Sequence, residues 1–338
     1  MKGGGSQAEI EESGLVYSTD SEPGISRVRR GKGFSYVTET GRPLRDAATL
    51  QRIRSLVIPP AWKDVWICPK RRGFVQATGR DQKGRKQSIY HPDWVLLRQE
   101  SKFNRLLEFG RSLPKIREQV DHDLRQKRLT KTKVLATVVS LLEQTLIRIG
   151  NERYTKENRS FGLTTLRSRH AEVGATFIQF RFKGKSGQSH QIRLSDRRLA
   201  NILRQCQELP GQNLLTYLDE DGHHATIDSS DVNDYLASIA MPGITAKHFR
   251  TWAGTVEAVK LIREQQPQSD RALAKVIKQV AQRLGNTASV CRTYYIHPKV
   301  IEGYLDAEWV TKDLPRVRSP YKTPIEVLTL DNVLSSKA

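Results

Sequence analysis

The stretch KTKVLATVVSLLEQTLIRIGN, residues 131–151, carries Val134, Leu135, Val138, Val139, Leu142, Leu146 and Ile149 at helical spacing. An apolar stripe of that length is buried only when the segment is a helix lying against other elements. Gly150 and Asn151 predict its C-terminal stop, which puts Arg148 in the last turn. SDRALAKVIKQVAQRLGN, 269–286, repeats the pattern with Leu273, Val276, Ile277, Val280 and Leu284. Ser269 or Asp270 is its N-cap and Gly285 its stop. Between the two, TFIQFRF and HQIRL alternate apolar and polar residues around KGKSGQS. That pattern predicts a β-hairpin with Lys183 and Lys185 at or near its tip. SDRRLANIL, DVNDYLASIA and TAKHFRTWAGTVEAVKLIREQ also have helical character, so the chain is expected to be mainly helical from about residue 95 onward.

Upstream the pattern is shorter. SRVRRGKGFSYVTETGRPLRD, 26–46, mixes β-prone pieces with glycine turns, of which ETGR is a hairpin turn. LQRIRSLVIPPAW reads as a short helix ended by Pro59 and Pro60, and VWICP and GFVQATGRDQKGRKQSIYHPDW return to strands. The fold class is therefore α+β: residues 24–93 form a small strand-rich domain and 94–338 a larger helical one. Residues 1–23, rich in glycine, serine and glutamate, are expected to be a mobile leader, with order beginning near Ile25.

Lysine and arginine number 56 against 36 acidic residues, a formal charge of +20, more than solubility needs and attractive to a polyanion. Nucleic acid is the first partner to consider; a generally basic protein or one binding anionic lipid has the same charge. No window approaches the ~20 apolar residues of a membrane span, and a cytoplasmic protein is expected. Cys68, Cys206 and Cys291 are widely spaced and form no CxxC pair, so neither a disulfide framework nor a cysteine zinc site is suggested. His223 and His224 follow the acidic turn YLDEDG, whose composition needs no metal to explain it. Few histidines and a basic balance disfavour a metal-dependent nuclease.

Two groups of residues remain. KRR at 70–72 and GRDQKGRK at 79–86 join the basic segment 27–32, with Gln76, Arg80, Arg85, Lys86, Gln87 and Tyr90 as candidate nucleic-acid contacts. The second group is dispersed: Arg148, Lys185, Arg250 and Tyr295. A phenol is a weak nucleophile near neutral pH because its pKa is about 10. Its attack on a phosphodiester builds charge on nonbridging oxygens, which arginine forks stabilise, and the departing sugar oxygen needs a proton, which a lysine can give.

The blocks GISRVRRGKGFSYV, IPPAWKDVWICP, QATGRDQKGRKQSIYH, IRIGNERYTKENRSFGLTTLR, FRFKGKSG, ITAKHFRTW and LGNTASVCRTYYIHP occur in that order. Together, over about residues 24–300, they resemble the type IB DNA topoisomerases, specifically the short bacterial and poxvirus-like enzymes. The resemblance implies a catalytic domain of the topoisomerase IB/tyrosine recombinase type, a clamp around duplex DNA, and relaxation of supercoiled DNA through a 3′-phosphotyrosyl intermediate. It implies Tyr295 as nucleophile, Lys185 as general acid, Arg148 and Arg250 on the phosphate, and Tyr154 as a DNA-contacting or packing residue. No cofactor is implied, neither ATP nor an obligatory divalent metal, and a monomer suffices. Where poxvirus-like enzymes commonly carry LGH, this chain has Leu284, Gly285 and Asn286. Asn286 is expected at the fifth active-site position, donating a neutral N–H.

A tyrosine recombinase or integrase uses a related site, but its second arginine normally sits in HxxR. Here Lys247, His248, Phe249 and Arg250 give KxxR. The strand-rich basic N-terminal region also favours the topoisomerase reading. A nonenzymatic DNA-binding protein is the third alternative, weakened by the full set of transfer residues.

Overall fold

Order begins well before Ile25. In the computed structural model, which describes residues 6–302 and 304–335, Ser6 caps helix α1 (Gln7–Glu12) through a reciprocal pair of hydrogen bonds with Glu9. Ile10 and Leu15 are buried with Phe74, Val75 and Trp94, and the Val16 backbone bonds to Arg72 and Phe74. The expectation of a mobile leader over 1–23 is thereby corrected for residues 6–23. Its polar composition masks two apolar anchors, and residues 1–5 lie outside the described residues.

The chain forms two compact units, Met1–Lys102 and Phe103–Ala338. In the first, β1 (Ile25–Arg30), β2 (Gly33–Val37), β3 (Lys63–Ile67), β4 (Val75–Arg80) and β5 (Lys86–Tyr90) make an antiparallel sheet in the order β2-β1-β3-β4-β5. Helix α2 (Ala47–Ser55), capped by Asp46, supplies Ile53 to a core with Ile25, Val65, Ile67 and Ala77. The boundary lies beyond the expected 93/94, inside helix α3 (Pro92–Leu124). Trp94, near the start of that helix, packs its indole edge-on against Phe74 at 5.0 Å between centroids, within the first unit.

In the second unit, α4 (Lys131–Thr145), capped by Thr130, is the central helix. It was expected to be amphipathic, yet Val134, Leu135, Ala136, Val138, Val139, Leu141 and Leu142 are all buried, leaving almost no wet face. Each such leucine or valine contributes about 1.5–3 kcal/mol of burial. Around it fold α5 (Glu152–Asn158), the sheet of β6 (Ala171–Val173), β7 (Phe177–Lys183) and β8 (Ser189–Ser195), and α6 (Arg197–Glu208). They are followed by the hairpin β9 (Thr216–Leu218) and β10 (His224–Thr226), then α7 (Ser229–Ile239) and α8 (Lys247–Gln265). Helices α9 (Asp270–Leu284), α10 (Ala288–Tyr294), α11 (Pro298–Ile301) and α12 (Pro324–Leu328) complete the chain.

Arg117 of α3 bonds to Glu143 of α4 and bidentately to Glu326 of α12, whose carboxylate also accepts from the Trp252 indole of α8. Burial would raise the Glu326 pKa, but the Arg117 pairing outweighs it and the pKa falls below the ordinary value. His248 stacks on Phe109 at 5.8 Å and interacts with Thr245, a packing role for the histidine of KHFR. Among the described residues no helix is long and apolar enough to cross a membrane.

Candidate active site

Helix α4 ends four residues earlier than the Gly150 stop suggested. Leu146 turns left-handed at φ 56° with its side chain buried, and the chain from 146 to 150 runs on without helical structure. Arg148 therefore lies beyond the helix rather than in its last turn. Apolar spacing misled here because Leu146 and Ile147 are buried without being helical. The segment is held from behind: Leu163 and Thr164 donate to the carbonyls of Arg148 and Ile149 at 2.9 and 2.8 Å. A Cβ on Gly162 would stand 2.5 Å from the Arg148 oxygen, so only glycine allows this approach.

The carbonyl freed at Leu146 is taken by Arg250, which lies in the first turn of α8. Its guanidinium donates to Leu146 O and, at 2.5 Å, to Leu284 O, the last residue of α9. One cation thus serves the C-terminal ends of two helices, where carbonyls lack intrahelical partners and the dipoles are negative. Burial, then the neighbouring Arg148, depress the Arg250 pKa to about 10, and the group remains charged at neutral pH. Its Nε is buried with no partner.

Helix α9 stops at Gly285, φ 59°, and the Asn286 N–H closes the cap onto Ala281 O. This turn delivers the Asn286 side chain to Arg148, whose Nη2 donates to Oδ1 at 2.6 Å. The Asn286 Nδ2 is buried and unpartnered. Thr287 then caps α10, the short helix at whose C-cap Tyr295 sits. Tyr295 is half-buried beside Arg250, with the guanidinium carbon 5.4 Å from the ring centroid, while Tyr294 is exposed. Burial alone would raise the Tyr295 pKa. The charges of Arg250 and Arg148, a hydrogen bond from Arg250 and the charge of Lys185 outweigh burial and bring it below the ordinary phenol value.

Lys185 is presented by the β7–β8 turn, as the alternation predicted. Gly184 and Gln188 close the turn, and Ser186 and Gly187 both adopt positive φ. A cavity of 290 Å³ lies between this turn, residues 145–148 and the end of α9; its lining includes Arg148, Lys185, Arg250 and Arg283 and no carboxylate. Two buried orphan donors, one of them on Arg250, together with the cations of Arg148 and Lys185 fit an oxyanion, and a phenol of lowered pKa stands beside Arg250. Such an arrangement suits transfer of a phosphoryl ester to tyrosine.

Two supporting residues escaped sequence reasoning. A Cβ at Gly254 would fall 2.6 Å from Tyr295 O and 3.2 Å from Tyr295 Cβ. Thr255 Oγ1 contacts the same carbonyl at 3.4 Å and accepts from His297 N at 3.2 Å. The available signal was a glycine inside TWAGTVEAV, where it costs about 1 kcal/mol relative to alanine. Gly254→Ala is expected to lower single-turnover DNA cleavage by roughly 10²-fold through misplacement of Tyr295, with noncovalent DNA affinity unchanged by fluorescence anisotropy. A variant as active as the native protein would refute this close-approach argument.

The N-terminal candidates divide. Gln76 is buried, accepting from Arg52 at 2.6 Å and donating to Gly73 and Arg71 carbonyls, so the expected reach toward a sugar or base edge is corrected to a structural role. Tyr90 packs on Phe74 at 5.2 Å. Arg80, Arg85, Lys86 and Gln87 lie on the β4–β5 hairpin, whose register pairs Arg80 with Lys86. Arg85 and Gln87 converge on Asp81, chiefly Arg85 holding that carboxylate at a pKa of about 2, and Lys86 reaches Asp20 at 2.6 Å. The Tyr154 side chain lies outside the described residues.

Residues 86–314 match the family described as "Eukaryotic DNA topoisomerase I, catalytic core", and residues 33–81 match "Bacterial DNA topoisomerase IB, N-terminal domain". The DNA topoisomerase 1B of Acanthamoeba polyphaga mimivirus is 28% identical over 293 residues, 83% of this chain and 87% of that protein. The DNA topoisomerase 1B of Vaccinia virus (strain Copenhagen) is 23% identical over 235 residues, 69% of this chain and 73% of the viral one. The solved XerH site-specific recombinase bound to its difH substrate is similar over 55% of this chain and 49% of its own, with 13% identity and a TM-score of 0.34.

Proposed function

The chain belongs to the type IB DNA topoisomerase family, and from that premise we propose that it relaxes supercoiled duplex DNA through Tyr295. The phenolic oxygen gives up its proton to water and attacks a backbone phosphorus, the P–O5′ bond breaks, and the DNA is held as a 3′-phosphotyrosyl ester while the 5′-hydroxyl strand is released. Rotation of the free end releases superhelical strain, and attack by the same hydroxyl restores the phosphodiester and returns Tyr295. Bond energy is conserved across the cycle, so the stored strain of the DNA drives it without ATP.

Arg148, Arg250 and the Asn286 amide donate to the nonbridging oxygens, and Lys185 protonates the departing 5′ oxygen. The observation that carries this reading is the pair of buried unpartnered donors, Arg250 Nε and Asn286 Nδ2, beside a phenol of lowered pKa. An incoming phosphate oxygen would supply the acceptors these groups lack. The +20 charge draws in the duplex through its phosphates, and Arg80, Arg85, Lys86 and Gln87 on the β4–β5 hairpin belong to that contact surface. One chain holds every residue the cycle uses, and a monomer is sufficient.

The test is relaxation of a negatively and a positively supercoiled circle in EDTA, without nucleotide and without any recombination site. Full relaxation of both is expected, together with a tyrosyl-linked 3′ end on denaturing the reaction. A requirement for two defined sites would point to strand exchange instead, and binding without relaxation to a nonenzymatic role.

A further inference from the structure

His190 occupies a position that the transfer chemistry leaves unexplained. It is the β8 partner of Phe182, and its ring stacks on that side chain at 5.1 Å with an interplanar angle of 18°. Two glycines face it. A Cβ at Gly184, next to Lys185, would stand 2.6 Å from His190 Cδ2 and Nε2; a Cβ at Gly285, next to Asn286, would stand 3.2 Å from Cε1. The ring therefore fills the gap between the turn that presents Lys185 and the helix cap that presents Asn286, and it lines the cavity with Arg148, Lys185 and Arg250.

We propose that His190 is a positioning residue: its ring is a wedge that seats the Lys185 turn against the α9 cap and so aims the lysine at the departing 5′ oxygen. The inference rests on the reading of Lys185 as general acid. Gly184 has φ −97°, a conformation open to any residue, so backbone strain does not explain the glycine there. Contact with the ring does. The turn itself gives Lys185 little support, because Lys185, Ser186 and Gly187 are exposed and only the Gly184–Gln188 and Gly187–Gly184 backbone bonds close it. Burial, with Arg148 and Arg250 adding to it, keeps the His190 pKa below the ordinary histidine value. The surroundings thus disfavour a charged ring beside Arg148, Lys185 and Arg250.

The experiment compares His190→Ala, His190→Phe and Lys185→Ala in single-turnover cleavage at a site mapped on trapped plasmid. Two duplex substrates are used, one with the native 5′ oxygen and one with sulfur at that bridging position. When sulfur leaves, Tyr295 O–P forms, P–S breaks and the thiolate departs without needing a proton. His190→Ala is expected to lose roughly 10²-fold on the oxygen substrate and to recover most of it on the sulfur substrate, as Lys185→Ala does. His190→Phe, which keeps a ring on Phe182, should stay within about threefold of the native rate, an energy difference near 0.65 kcal/mol. A general loss of folding in His190→Ala would depress both substrates equally and would overturn the proposal. So would His190→Phe behaving like His190→Ala, which would assign the imidazole nitrogens a direct role. Failure of the sulfur substrate to rescue Lys185→Ala would instead overturn the lysine assignment on which the wedge depends.

Discussion

Tyr295→Phe is expected to abolish the covalent protein–DNA adduct and all relaxation while DNA affinity changes by less than about twofold, a difference of roughly 0.4 kcal/mol. The change removes one oxygen and keeps the ring beside Arg250. The neighbouring phenol does not stand in for it: Tyr294 is exposed on the same short helix, whereas Tyr295 sits at its C-cap with the cation cluster. Tyr294→Phe should therefore retain cleavage near the native rate. The adduct is read on a denaturing gel after trapping on supercoiled plasmid, with peptide mapping of the linked tyrosine. An adduct persisting in the Tyr295 variant would remove the nucleophile assignment, and transfer of that phenotype to Tyr294 would reassign it.

The sequence was informative wherever a local rule set the outcome. The α9 helix, its Ser269 cap and its Gly285 stop follow from side-chain period and capping chemistry, and the hairpin bearing Lys185 follows from alternation. The errors arose where tertiary partners override local pattern. Helix α4 stops at Thr145, where Leu146 turns left-handed, and the carbonyl left free is taken by Arg250, more than a hundred positions away in sequence. Gln76 looked like a free polar side chain among basic residues, yet Arg52 and the turn at Gly73 consume its hydrogen bonds. Residues 6–23 looked like a polar tail because two buried side chains, Ile10 and Leu15, are too few to show a period. In the candidate site, the residues that the fold brings together, Arg148, Arg250, Asn286 and Tyr295, are the ones their motifs singled out as candidates. The glycines at 162 and 254 were not, since the backbone approaches they permit join segments remote in sequence.

Replacing Arg250 separates charge from geometry. Arg250→Lys keeps a cation at the position, yet one ammonium cannot serve Leu146 O, Leu284 O and an incoming phosphate from the same fork. Loss of a transition-state donor of this kind costs roughly 10²–10³-fold in rate, and Arg250→Lys is expected to fall in that range for single-turnover cleavage. Arg250→Ala should lose at least as much and should also melt earlier, because two buried helix-end carbonyls are left unpaired at about 1–3 kcal/mol each. The phenol supplies an independent readout. Arg250 is the foremost of the cations that lower the Tyr295 pKa, and a lowered pKa means the ionised phenol is favoured by its surroundings. Removing the cation in Arg250→Ala therefore moves the phenol midpoint up, so ultraviolet titration should show Tyr295 ionising at higher pH. The lysine variant should show a smaller rise, since its charge remains nearby. Native cleavage in Arg250→Lys would mean that charge alone suffices and that the forked contact with the two helix ends has no catalytic consequence.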